Sequence, residues 1–146
     1  MDVLSISSDS TKSSPEKVVG IRSLKFLQIY SKRLKKIVRI LRKSLVLFNE
    51  DYITFREEMV DNQRISLIDF IGTGFLVMYR ATKLESAARK IIKKIDHYQG
   101  TDDVLVSELI RSSHEEYNVI VELEKNIQES VNKSFEFIES TFSLTY

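Results

Sequence analysis

Cysteine is absent from the 146 residues, which removes disulfides, thiolate metal sites and a cysteine nucleophile together, and fits a reducing compartment. Proline occurs once and glycine four times. Turn-rich β architectures need those residues at their corners, so their scarcity leaves helices joined by few turns. Long apolar runs are missing too: the longest uncharged stretch of the apolar middle, Phe70 to Tyr79 (FIGTGFLVMY), is too short to span a bilayer. The opening MDVLSISSDSTKSSP has neither a basic start nor an apolar run, so no signal or transit peptide is expected and a cytoplasmic location is.

The groups that chemistry requires are scarce as well. Only two histidines occur, His97 and His114. His114-Glu115-Glu116 lacks the second histidine of a zinc helix, and no Glu-x-x-His pair is present for a carboxylate-bridged metal site. Gly72-Thr73-Gly74 has no lysine placed for a Walker loop and no strand before it for a dinucleotide fingerprint, so packing or a kink is its expected role. Ser5 to Ser14 offers hydroxyls, including Ser13 and Ser14 before Pro15 as candidate phosphorylation sites, but no Ser/His/Asp set can be assembled around them. The expectation is a non-enzyme with no catalytic residue, metal, cofactor or small-molecule substrate.

What is present is a foldable composition, 42% apolar and 29% charged, in a chain long enough to bury one core as one domain. Residues 1–14 read as a disordered Ser/Thr-rich arm. A single helical-bundle domain is expected over 15–146, starting at Ser14-Pro15-Glu16, with a cap, a first-turn proline and an early acid. Apolar residues then recur every three or four positions from Leu24 through Leu34 and Leu41 to Phe55 and Met59 without losing phase. That pattern predicts one helix within about 15–60, about 40 residues or about 60 Å long, running through Asn49-Glu50-Asp51 rather than being capped anew there. Asp61-Asn62-Gln63 marks a turn. A second helix over about 64–98 carries its stripe from Leu67 to Tyr98, with Gly74, Ala81 and Ala88 seven apart on the buried side, where small residues admit a neighbouring backbone. Gly100-Thr101-Asp102-Asp103 reads as a C-cap glycine, then Thr101 as the next cap and two acids. The third helix, over about 102–143, keeps its stripe from Val106 to Phe142, and continuation beyond Tyr146 is expected. The fold class is therefore all-α: an elongated antiparallel bundle of three long, coiled-coil-like helices, with room for a fourth short helix or a second chain.

The net charge of +1 conceals a polarised distribution. Nine lysines or arginines and no acid lie between Arg22 and Lys43, whereas ten acids and three bases lie from Thr101 onward. Lys25, Lys32, Lys36, Arg39 and Lys43 occupy about one third of the circumference opposite Leu34, widened by Arg22, Arg33, Lys35 and Arg42. An antiparallel second helix brings Arg89, Lys90, Lys93 and Lys94 to the Lys25 and Lys32 end. Glu108, Glu115, Glu122, Glu129 and Glu136, seven apart, form an acidic row along the third helix. A charged band opposite an apolar stripe is ordinary for a soluble helix, but nine cations without an acid depart from the mixed i, i+4 pairing of ordinary surfaces.

The function expected is a helical interaction or assembly module that binds an acidic protein partner, or itself, through helix faces. The alternative is a peripheral module on anionic membrane. Strong nucleic-acid binding is not expected, because few aromatics are interleaved with exposed cations and the chain is near neutral.

Overall fold

The structure, a computed structural model, describes residues 21–58, 64–100 and 103–142. It is a three-helix bundle: α1 (Ile21–Glu58), α2 (Arg64–Asp96) and α3 (Val104–Phe142). The expected disordered arm, the helix start at Ser14-Pro15-Glu16 and the turn at Asp61-Asn62-Gln63 lie outside the described residues.

α1 runs without interruption through Asn49-Glu50-Asp51, as its unbroken stripe predicts. The helices are amphipathic, and pooling their apolar stripes is the main source of stability. Leu27, Leu34, Leu41 and Phe48, seven apart on α1, meet Ala81, Ala88 and Ile95 of α2 and Val106, Ile120, Ile127 and Ile138 of α3 in one buried cluster. Phe48 and Phe55 pack on Phe70, and Lys94 lies 5.8 Å from the Tyr30 ring centre, so α2 runs back along α1. Phe75 against Phe135 and Asp96 against His114 make α3 antiparallel to α2. α3 packs most extensively on α1, and the α1–α2 seam is the slightest of the three.

Two local expectations need refining. Gly72-Thr73-Gly74 lies inside a continuous α2, and Gly74 is buried and packed as expected, but its nearest neighbour is the Phe135 ring rather than a backbone. At the α2–α3 corner, i to i−3 bonds from His97, Tyr98 and Gln99 tighten the last turn, and Gly100 takes φ +89°, where only glycine sits without strain. The cap of α3 is Asp103, whose Oδ1 accepts from the amides of Leu105 (2.9 Å) and Val106 (3.2 Å). Thr101 lies outside the described residues.

Polar bonding between helices concentrates on the α2–α3 seam. His114 Nε2 meets Asp96 Oδ1 at 2.5 Å. One turn along α3, the Tyr117 hydroxyl donates to Glu85 Oε2 (2.7 Å), which also receives Arg89 Nε (3.2 Å). Further along, Gln128 Nε2 donates to the Met78 carbonyl (3.3 Å), Thr82 Oγ1 (3.2 Å) and Glu124 Oε2 (2.9 Å). No such hydrogen bond crosses the α1–α2 seam among the described residues; it closes by apolar packing.

Candidate protein-interaction surface

A helix with polar residues opposite its buried stripe needs nothing more than water on that side. α1 is of that kind: Lys25, Lys32, Lys36, Arg39 and Lys43 are all exposed, as are Arg22, Arg33, Lys35 and Arg42. None of the nine takes part in an ion pair with another described residue. The band is therefore an open row of like charge, held in place only by the helix beneath it.

On α2, Lys90, Lys93 and Lys94 are exposed, and Lys94 over Tyr30 carries the positive field to the α1 end where Lys32 sits. Arg89 behaves differently. Its guanidinium pairs with Glu85 one turn earlier, on the side of α2 that faces α3. Burial pushes the Glu85 carboxyl upward, but the hydrogen bonds from Arg89 and Tyr117 and the Arg89 charge outweigh it and hold the carboxyl below its usual value. Burial and the Glu85 hydrogen bond raise the Tyr117 hydroxyl. Arg89 thus braces the Glu85 carboxylate that receives Tyr117 of α3, and does not extend the open basic row.

Glu108, Glu115, Glu122, Glu129 and Glu136 all face solvent. Arg111 bonds both Glu108 and Glu115, the latter at 2.6 Å, so the row is partly neutralised at its N-terminal end. Its Glu108 carboxyl is held low by the Arg111 hydrogen bond and charge.

A further surface escaped the sequence reading. The outward side of α2 carries Ile68, Phe75, Leu76 and Tyr79 at 69%, 57%, 45% and 60% exposure, with exposed Gly72 among them. Positions 68, 72, 75 and 79 are spaced as a helix stripe directly opposite buried Phe70, Gly74 and Ala81. This part of α2 is apolar on both sides, a pattern that ordinarily marks a helix covered all round. Exposed Ile40 of α1 borders it across the seam, where Ile40, Leu41, Val77, Tyr79, Arg80 and Leu84 line a shallow groove.

The signal was present in FIGTGFLVMY: five large apolar residues between Phe70 and Tyr79 exceed what one core-facing stripe needs. No family model, curated protein or known solved structure matches this chain.

An apolar strip about 17 Å long lies beside cations that form no ion pair with another described residue, a geometry suited to a second helix. Among the described residues no cluster of three histidines or carboxylates could hold a metal ion, and no helix is long and apolar enough to cross a membrane.

Proposed function

We propose that the protein is a non-enzymatic helical interaction module whose outward α2 face and neighbouring basic row bind another helix, either a partner's or a copy of itself. The observation that carries this reading is the exposed stripe Ile68, Phe75 and Tyr79 opposite the buried stripe of the same helix. Leaving large apolar side chains in water forgoes about 25 cal/mol per Å² of burial, and clustered patches of this kind mark sites of association. Arg33, Lys36 and Lys43, together with Arg80 and Lys83 at the α2 edge, favour an occupant with acidic flanks and steer it by charge.

A fluorescent helical peptide with leucines at i, i+4, i+7 and i+11 and glutamates on both flanks tests the reading by anisotropy. Binding is expected to weaken on Phe75→Asp or Tyr79→Asp, and also in high salt. If neither this peptide nor any second copy of the chain associates, the reading is wrong.

A second reading has its own observation. Phe26 and Ile29 are exposed among Lys25, Lys32 and Arg33, and apolar tips between cations suit the interface of an anionic bilayer. This reading expects salt-sensitive co-sedimentation with vesicles containing phosphatidylserine and none with neutral ones. Binding left unchanged by charge reversal at Lys32, Lys36 and Arg39 would remove it.

A further inference from the structure

The outward α2 stripe has a property beyond being apolar: its order of sizes is complementary to itself. Read along the helix it runs Ile68, Gly72, Phe75, Tyr79. Laid antiparallel on an identical stripe, Gly72 lies opposite Phe75, so each ring has a gap to enter, and Ile68 meets Tyr79 as an apolar neighbour. The Gly72 position is open, since a Cβ placed there would meet nothing within 4 Å. Phe75 stands beside it with one side of its ring towards Phe135, at a centroid distance of 5.0 Å, and the rest outward.

The charges at the edge of the stripe agree with the same pairing. Asp69 and Arg80 are eleven residues apart, about three turns, and so lie on one flank of α2. Both are exposed, and neither takes part in an ion pair with another described residue. In an antiparallel pair related by a two-fold axis, like flanks meet like flanks with their order reversed, which brings Asp69 of one helix near Arg80 of the other, twice over. A parallel pair would instead set Arg80, Lys83 and Lys90 beside their own copies. The antiparallel arrangement keeps the two basic C-terminal halves apart, with Lys83 about 28 Å along the axis from its counterpart. α3 touches this face at Phe75, through Phe135, and α1 borders its edge near Tyr79 and Arg80, while Ile68, Gly72, Phe75 and Tyr79 remain exposed.

We infer that the occupant of this face is a second copy of the chain, docked antiparallel through α2, with Gly72 receiving the partner's Phe75 and Asp69 paired with the partner's Arg80. This rests on the interaction-module reading and specifies its partner. A strip this short buries less than the roughly 1,200–2,000 Å² of a standard stable interface, so the association is reversible and concentration-dependent. The exposed face of α3 is not an equivalent occupant: its large exposed apolar residues are Val121 mid-helix and Val104 and Leu105 at its start, too few for a stripe.

The test is sedimentation equilibrium of the full chain over a wide concentration range, with helicity checked by circular dichroism. The expected mass rises from 17.0 kDa toward twice that value. Asp69→Arg and Arg80→Asp alone should each weaken association about tenfold or more, and the two together should restore it. Gly72→Leu, which meets open space in the monomer, should abolish association without loss of helicity.

A mass that stays at 17.0 kDa up to millimolar concentration overturns the inference; if the acidic helical peptide still binds at Phe75 and Tyr79, the broader reading stands. A dimer indifferent to the charge exchange and to Gly72→Leu, but lost on charge reversal at Lys36 and Lys43, also overturns it, by placing the contact on α1.

Discussion

Gly72 and Gly74 are two residues apart in one helix, and their surroundings oppose each other. A Cβ on Gly72 would meet nothing within 4 Å, whereas one on Gly74 would lie 2.7 Å from Phe135 Cζ and 3.1 Å from Val131 Cγ1. Either alanine gains about 1 kcal/mol of helix propensity. At Gly74 that gain is set against an overpacking cost of about 1–3 kcal/mol, because Phe75 stands against the ring that would have to yield. Gly72→Ala should therefore raise the melting temperature and Gly74→Ala lower it, as thermal denaturation at low protein concentration can check. Glu85 supplies a pH prediction. Its carboxyl, despite burial, is held below its usual value by Arg89 and Tyr117, so its contribution to stability is fully present above the unfolded value of about 4.3 and is lost as pH falls through the lower folded value. Glu85→Gln should flatten the fall in stability below about pH 4, read from melts at closely spaced pH. Sequence periodicity identified Gly74 as buried, but it could not distinguish a backbone neighbour from an aromatic ring. Nor could it find Glu85, since a carboxylate that joins two helices looks like any surface glutamate until the register of α2 on α3 is known.

Elements were the most readable level. A stripe that holds phase through Asn49-Glu50-Asp51 implies one helix, and α1 is one; propensity at three residues does not overcome packing along the whole face. The gap between Ile110 and Tyr117 in the α3 stripe is filled by Ser113, which is buried, and Ser134 is buried later in the same helix. Apolar counting skips serine, yet its small volume suits close helix contact. Ser134 bonds the Val131 carbonyl at 2.6 Å, while the Ser113 hydroxyl has no hydrogen-bond partner among the described residues. Helix ends were read less well, because Thr101, Asp102 and Asp103 are all good caps and only the path of the chain selects among them. Asp103 holds two amides, so Asp103→Ala should cost about 1 kcal/mol in chemical denaturation. Gly100, with its positive φ, should tolerate alanine poorly. The outward α2 stripe was in the sequence in full, but it was measured only against the thickness of a bilayer. An apolar residue in a run belongs to the core or to a second face according to its angle about the helix, and the angle becomes definite once the buried stripe is fixed by Phe70, Gly74 and Ala81.

For the molecule as a whole, the near-zero net charge says little about electrostatic stability, because the signs are sorted by helix. On α3 the signs interleave locally, with Arg111 between Glu108 and Glu115. On α1 no acid lies between Arg22 and Lys43, so Lys32, Arg33, Lys36, Arg39 and Lys43 repel at i, i+3 and i, i+4 spacings, each such pair costing about 0.2–0.5 kcal/mol in low salt. Lys36→Glu would turn the repulsions with Lys32, Arg33 and Arg39 into attractions without touching the core, since position 36 is exposed. That variant should melt at a higher temperature than the native chain in low salt, and the difference should shrink as salt screens the surface charges. The interaction reading requires the same substitution to weaken binding of the acidic helical peptide, again more in low salt than in high. Opposite signs in the two measurements would mean that stability is given up along α1 to keep a charged face available, a trade common at binding sites. A gain in stability with peptide binding unchanged would reduce the α1 row to solvated surface and leave the α2 stripe as the one interaction face.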